Sequence, residues 1–400
     1  MPSSTFSRRS LLTAAGGLTT GLAGCAAFEQ SGSFPDGDWP QVARDPTNTA
    51  YYPSASVPSE VTEAWDVYIG GWPHTSPIVG DGRAYIATQK TLTAVTATSG
   101  TTDFEADLPH EPGGTPAYDS DSSTVYVPAY DRTTDEEGAF VHAFDATKGR
   151  KTWSRQVGDD AVYGLTLREG IVYARTGNAV VALSEGEEVW RYDGLEPLEY
   201  PEYNIPDSVD VTGNTAPAVT DDSVYVPVRN GILVLDRETG ERRWRDDVKY
   251  TLGVSVGERG VYAQGYKQLR AFTPDGVGRW SRDDIGGTSA PTLSGDAVYA
   301  KDGDTVRELD PESGETRWSF DFRTTVTSSP SPILENALIA PSHRAVALRR
   351  GNGLQVKLSG RKLWETEFDP VEFAAPAIGA GHLFLVDPFG RRLVAVKSIK

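Results

Sequence analysis

Cysteine is almost absent from this 400-residue sequence. The single Cys25 leaves no intrachain disulfide and no cysteine-based zinc or iron–sulfur site. Lysine is also scarce, since 10 lysines leave 28 arginines among the 38 basic residues. Beyond the N-terminus there is no uncharged apolar run of about 18 residues, which excludes a membrane-spanning helix from the body of the chain.

Acidic residues are in clear excess. Asp and Glu number 56 and the formal net charge is −18, so a sequence-independent nucleic-acid binder is excluded. An acid excess with little lysine favours a high-salt environment, where salt screens the charge repulsion, and an ordinary acidic secreted protein is the alternative. The 41 glycines and 26 prolines favour short strands and tight turns over long helices.

Residues 1–24 have the composition of an export signal. The pair Arg8-Arg9 within SRRSLL resembles a twin-arginine signal, and LAGC, ending at Cys25, resembles a lipobox. These resemblances imply export by the twin-arginine route and a lipid on Cys25 that anchors the protein to the outer face of the cell membrane. We expect residues 25–38 to form a flexible tether and residues 39–64 a lead-in segment.

One pattern recurs along the rest of the chain. A small residue and Pro precede an apolar run, an Asp/Gly turn and Val-Tyr-Val, and then Ala-x-Asp, a Thr-Gly turn and Trp follow. Eight units begin near positions 76, 115, 163, 216, 253, 290, 329 and 375. Alternating apolar and polar residues between turns predict antiparallel strands, and four such strands per unit make a propeller blade.

The ends of the repeat predict how the ring closes. The eighth unit stops without its final strand, whereas the segment around Trp65 looks like a final strand without a blade. Residues 65–400 give 42 residues per unit, within the roughly 40–50 that a blade occupies. We therefore predict an all-β, eight-bladed propeller of four-stranded antiparallel blades, closed by the N-terminal strand around Trp65.

The repeated Ala-x-Asp-x-x-x-Gly-x-x-x-Trp motif resembles the tryptophan-docking element of PQQ-like (pyrroloquinoline-quinone-like) β-propellers, over about residues 65–400. The resemblance implies kinship with quinoprotein dehydrogenases and with BamB-like lipoproteins. The stretch from Trp39 to Thr49 also resembles the lead-in of exported archaeal members.

The repeated tryptophans are expected to be structural. Each can stack on the neighbouring blade near the glycine of its docking turn, which is worth roughly 2–3 kcal/mol by buried area. The motif aspartates, such as Asp145, are expected to cap the following turn. The predicted docking residues are Trp65, Trp153, Trp190, Trp244, Trp280, Trp318 and Trp364.

Candidate binding residues fall in two sets of loops that share one face of the ring, around the mouth of the channel. Two insertions, residues 131–139 and 192–212, map to the same face. The second is either a recognition loop or a salt-adapted surface excursion. The histidines show no metal-ligand spacing, so no metal site is predicted. The predicted binding residues are Trp72, His74, His110, Tyr163, Tyr200, Tyr203, Asn214, Tyr250, Arg323, His343 and Glu372.

The preferred hypothesis is a non-catalytic, membrane-anchored, monomeric propeller outside the cytoplasm that binds or scaffolds other proteins, with no cofactor and no catalytic residue. One alternative is a quinoprotein dehydrogenase, whose chemistry needs PQQ in the channel, Ca²⁺ held by carboxylates and an acidic base. Another is a sensor that binds a small ligand.

Overall fold

Eight antiparallel sheets arranged as blades make up the computed structural model, which confirms the predicted propeller. The structure describes residues 32–53, 55–73, 75–131, 138–196, 215–249, 251–265, 267–287, 289–322, 330–342, 344–366 and 374–399.

Two strands precede the first complete blade, β1 (Tyr51–Tyr52) and β2 (Val61–Tyr68). Blades 1 to 4 then follow in chain order. Within each blade the first strand lies nearest the channel and the last strand lies outermost. Blade 1 comprises β3 (Ile78–Gly80), β4 (Arg83–Ala87), β5 (Thr91–Thr96) and β6 (Thr102–Asp107). Blade 2 comprises the short β7 (Glu111–Pro112), β8 (Ala117–Asp119), β9 (Thr124–Asp131), β10 (Gly138–Asp145) and β11 (Lys151–Gly158). Blade 3 comprises β12 (Val162–Arg168), β13 (Ile171–Thr176), β14 (Ala179–Ser184) and β15 (Glu187–Asp193). Blade 4 comprises β16 (Ala218–Val219), β17 (Ser223–Val228), β18 (Asn230–Asp236) and β19 (Arg242–Lys249).

The remaining blades repeat this order, and blade 8 takes its outer strand from the N-terminal side. Blade 5 comprises β20 (Thr251–Gly257), β21 (Gly260–Gly265), β22 (Gln268–Phe272) and β23 (Gly278–Arg282). Blade 6 comprises β24 (Thr292–Ser294), β25 (Ala297–Asp302), β26 (Thr305–Leu309) and β27 (Thr316–Asp321). Blade 7 comprises β28 (Ile333–Leu334), β29 (Ala337–Pro341), β30 (Ala345–Arg349), helix α1 (Leu354–Ser359) and β31 (Lys362–Glu365). Blade 8 comprises β32 (Ala377–Gly379), β33 (His382–Asp387), β34 (Arg392–Ser398) and β2.

The burial of each strand follows its position in the blade. Both faces of a middle strand are covered by neighbouring blades, and β17 (SVYVPV) is accordingly buried along its whole length. The outer strand β11 is exposed at alternate positions, as expected for a half-buried strand. Within the described residues no helix is both long and apolar enough to span a membrane.

The ring closes as the sequence predicts. Strand β2 pairs antiparallel with β34, from Val61 opposite Ser398 to Tyr68 opposite Arg392. The pairing joins the two ends of the repeat in one sheet, so blade 8 has its four strands and the outer edge of β34 is paired.

Aromatic side chains on the outer strands pack on the glycine turns of the next blade. A Cβ on Gly100 would stand 2.7 Å from the ring of Trp65, and one on Gly240 would stand 2.6 Å from the ring of Trp190. Both glycines have a φ of +72°, which an L side chain rarely adopts. The same arrangement recurs at Phe104–Gly149, Trp153–Gly186, Trp244–Gly276 and Trp280–Gly314.

Two tryptophans depart from this arrangement. Trp318 lies under the guanidinium of Arg361, 3.9 Å from the ring centroid, because blade 7 carries α1 where the short turn would be. Trp364 instead donates its indole N–H to the backbone carbonyl of Pro58 at 2.8 Å. The motif aspartates cap their turns, and Asp145 accepts the backbone N–H groups of Thr147 and Lys148.

Residues 35–50, called the plug segment from here on, follow the inside of the ring at one end. From blade 8 the segment passes blades 1 to 7 in order, and each inner strand or the turn after it donates a backbone N–H to it. The donor–acceptor pairs are Gly381–Pro35, Val79–Trp39, Tyr118–Pro40, Leu167–Gln41 (side-chain oxygen), Val219–Pro46, Val256–Thr47, Leu293–Thr49 and Ile333–Ala50.

The plug segment is fixed by buried side chains as well as by backbone bonds. Trp39 is 1% exposed, and Asn48 donates to the carbonyls of Ala216 and Val254 in neighbouring blades at 3.0 and 3.1 Å. Residues 32–38 differ from the flexible tether that their composition suggests, because Phe34 is buried and Pro35 bonds to blade 8. The plug segment therefore accepts a backbone N–H from the inner end of every blade, which would otherwise face the channel.

Candidate functional site

The two faces of the ring differ in what they present. We call the face with the loops between blades and between second and third strands the mouth face. The opposite face is the turn face, where the plug segment lies. Of the eleven predicted binding residues, Trp72, His110 and Tyr163 are described, and they lie at three different seams of the mouth face. His74, Tyr200, Tyr203, Asn214, Tyr250, Arg323, His343 and Glu372 lie outside the described residues.

At the seam of blades 8 and 1, aromatic side chains are exposed to solvent. The ring of Trp72, just after β2, meets the ring of Phe389 edge to face at 6.3 Å between centroids. Phe389 lies in the loop between β33 and β34 and is 78% exposed, and Tyr68 at the end of β2 is 59% exposed. The guanidinium of Arg391 stands 5.8 Å from the Trp72 ring. The sequence pattern singled out Trp72, but Phe389 and Arg391 were missed.

At the seam of blades 1 and 2, His110 meets a second histidine. Its Nδ1 is 3.2 Å from Nε2 of His142, which lies on β10 and is fully buried. Burial, with smaller contributions from His110 and Lys151, lowers the pKa of His142 to about 3, so this imidazole is neutral near pH 7. Asp131 approaches the other side of His110 at 4.0 Å. Among the described residues no group of three or more His, Cys, Asp or Glu side chains could hold a metal ion.

Tyr163 lies at the seam of blades 3 and 4. Its hydroxyl donates to Asp160 at 2.6 Å, and its ring stands 5.6 Å from the guanidinium of Arg175. Arg175 is fully buried and donates to the carbonyls of Pro227 and Thr176. The Arg175 side chain thus joins blade 3 to blade 4 through the Pro227 carbonyl, which gives Arg175 a structural role at the mouth face.

Lys301, near the mouth end of β25, has a buried amine. Its Nζ is enclosed, and none of the described groups forms a hydrogen bond with it. Desolvation lowers the pKa of Lys301 to about 7, because burial disfavours the charged amine. Folding therefore disfavours the charged form of the Lys301 amine.

A cavity of about 390 Å³ opens on the turn face, between the plug segment and blades 2 and 3. Burial raises the pKa of Asp38 there, and Asp119 is already engaged by the backbone N–H of Asp121. Arg168 is paired with Asp221 of the next blade. Asp119 and Arg168 thus already have protein contacts of their own. The cavity is lined by Asp38, Pro40, Gln41, Arg44, Pro46, Tyr118, Asp119, Ser120, Asp121, Leu167, Arg168, Glu169 and Gly170.

Buried hydroxyls, rather than carboxylates, recur where the described inner strands begin. Ser76 and Thr115 are 5% and 6% exposed, and Ser76 accepts the backbone N–H of Ala375 at 2.7 Å. Thr215 donates to the carbonyl of Tyr163 at 2.9 Å. A Ca²⁺ ion with a quinone needs carboxylate oxygens. The described residues at these positions do not fit that donor set.

Fold and repeat together define a β-propeller with PQQ-like repeats. The chain belongs to the family described as outer membrane protein assembly factor BamB, which it matches over residues 89–252 and 229–370.

Known proteins similar to the chain include BamB and quinohemoprotein alcohol dehydrogenases. Quinohemoprotein alcohol dehydrogenase of Comamonas testosteroni is 26% identical over 288 residues, which is 59% of this chain but 39% of that enzyme. The structure of BamB from Moraxella catarrhalis has a TM-score of 0.65 at 16% identity, covering 85% of this chain and 98% of the other. Quinohemoprotein alcohol dehydrogenase ADHIIG from Pseudomonas putida has a TM-score of 0.66 at 14% identity, covering 91% and 80%. The structural similarities show a shared fold.

Proposed function

We propose that this protein is a non-catalytic propeller, exported by the twin-arginine route and anchored outside the cell membrane by a lipid on Cys25. It binds another protein through its mouth face. The observation that carries the proposal is the exposure of three aromatic side chains on that face, Tyr68, Trp72 and Phe389. Aromatic side chains on a rigid scaffold are the usual anchors of protein interfaces.

The asymmetry between the two faces supports the same function. On the turn face, the plug segment accepts a backbone N–H from every blade. On the mouth face, the Trp72–Phe389 pair is left in solvent. Membership of the family described as an outer membrane protein assembly factor agrees with a role in binding proteins.

A second candidate is a quinoprotein dehydrogenase, favoured by the 26% identity over 288 residues to a quinohemoprotein alcohol dehydrogenase. The two functions are separated by titrating the purified chain with PQQ and Ca²⁺ and measuring dye reduction with alcohols and sugars. A scaffold shows no saturable PQQ binding and no turnover. Stoichiometric binding with turnover would favour the enzyme.

The anchor is tested separately from the binding function. Cys25→Ser should release the protein from washed membranes into the medium, because a chain with a formal net charge of −18 has little affinity for an anionic bilayer. Replacing Arg8 and Arg9 by lysines should block export. Membrane retention of the Cys25→Ser protein would contradict the lipid anchor while leaving the binding proposal untouched.

A further inference from the structure

Exposed large apolar side chains are few among the described residues, and half of them lie at one seam. Tyr68, Trp72 and Phe389, at the junction of blades 8 and 1, are 59%, 38% and 78% exposed. Val189, Val277 and Ile399 are the others, and each is aliphatic. A cluster of aromatic rings left in water is informative, whereas single exposed aliphatic residues are ordinary.

The seam is held in place by its backbone. Ile69 donates its N–H to the carbonyl of Arg391 at 2.9 Å, which ties the segment after β2 to the loop after β33. Within that loop Asp387 accepts the N–H of Gly390 at 2.8 Å. The Trp72 and Phe389 rings are thus presented by two loops bonded to each other, which lowers the entropy cost of binding.

One arginine at the seam has no ion pair with any described residue. Arg391 is exposed and forms no ion pair with any described residue, and its guanidinium lies beside the ring of Trp72. The adjacent Arg392, in contrast, is paired with Asp66 and Asp387. An unpaired guanidinium next to aromatic rings favours a carboxylate, which it can bind through two parallel hydrogen bonds.

We propose that this seam is the anchor point for a polypeptide segment that combines an aromatic or large apolar side chain with a carboxylate. The apolar group covers Trp72 and Phe389, and the carboxylate pairs with Arg391. The inference rests on the proposed function and specifies its partner as a segment with an apolar side chain and a carboxylate. Because the chain carries a net charge of −18, the attraction for the carboxylate must come locally from Arg391.

The test uses the full chain labelled with 5-fluorotryptophan, with the Trp72 resonance assigned from Trp72→Phe. The probes are N-acetyl-phenylalanine, which carries a carboxylate, and its neutral amide. We expect N-acetyl-phenylalanine to shift the Trp72 resonance saturably, and the amide to bind at least tenfold more weakly. Equal binding of the two probes, or no shift, would overturn the proposal.

Matched variants locate the effect. Arg391→Gln should weaken the binding of N-acetyl-phenylalanine at least tenfold. Arg242→Gln, at another exposed arginine that forms no ion pair with a described residue, should leave the binding unchanged. If both variants weaken the binding of N-acetyl-phenylalanine equally, the effect comes from the overall charge of the protein and the proposal is contradicted. Concentration-dependent broadening of the Trp72 resonance without a probe would place a second copy of the chain there instead. Because the titration needs no partner, its result is independent of whether a membrane partner is found.

Discussion

The indole N–H of Trp364 donates to the carbonyl of Pro58 across 306 positions of the chain, at 2.8 Å. In blades 3, 4, 5 and 8 the outer tryptophan donates to the docking turn of the next blade, as Trp65 does to Ala97 and Trp190 to Arg237. Blade 8 has no such turn, because the two ends of the repeat meet there. The residues before β2 supply the missing carbonyl.

Trp364→Phe should lower the free energy of unfolding by about 1–2 kcal/mol, because the buried Pro58 carbonyl loses its donor. The matched control is Trp318→Phe, since Trp318 is equally buried but its indole N–H has no partner among the described groups. Guanidinium unfolding of both variants checks the difference. Equal losses would show that the hydrogen bond contributes nothing.

Gly82 and Gly240 have the same φ of +72°, so alanine substitutions at the two positions distinguish the cost of backbone strain from the cost of a side-chain clash. Gly82→Ala should cost about 1–2 kcal/mol for its φ of +72° alone, since no atom lies within 4 Å of the added Cβ. Gly240→Ala has the same φ, and its Cβ would stand 2.6 Å from Trp190, which should add a further cost of about 1–3 kcal/mol. Thermal unfolding of both variants measures the difference. Identical costs would mean that the tryptophan moves aside freely.

The repeat was readable from the sequence because strand alternation and the spacing from Asp to Gly to Trp recur. These features predict the eight blades and the closure at Trp65. The plug segment was not predictable in the same way, because its bonds run from backbone carbonyls, such as that of Ala50, to strands hundreds of residues away. Such contacts have no periodicity. The Trp72–Phe389 pair was missed for a similar reason, since ring closure alone brings these two loops together.

Lys301→Met should raise stability at pH 7 by about 1–3 kcal/mol, because the variant buries no amine without a partner. The folded pKa is lowered to about 7 from 10.5, so the cost grows as the pH falls from about 10.5 to 7. The stability difference between the two proteins should therefore shrink at pH 10. A variant less stable than the parent at pH 7 would indicate a role for the amine in the fold.

His142→Gln should make the free energy of unfolding depend less steeply on pH between pH 7 and 5. The unfolded histidine binds a proton near pH 6.5 and the folded one only near pH 3, so stability is lost as the pH falls through this window. The contribution is about 1.4 kcal/mol per pH unit for one group. Urea unfolding at pH 7, 6 and 5 should give a shallower slope for the variant, and parallel slopes would contradict a neutral buried His142.

The most direct test of the account is site-specific photo-crosslinking in native membranes. Benzoyl-phenylalanine is placed at position 389 on the mouth face or at position 277 on the turn face, two exposed sites in the structure. We predict one discrete protein adduct from position 389, reduced when Arg391→Gln is added, and none from position 277. No adduct at 389, or the same adduct from both positions, would contradict binding through the mouth face.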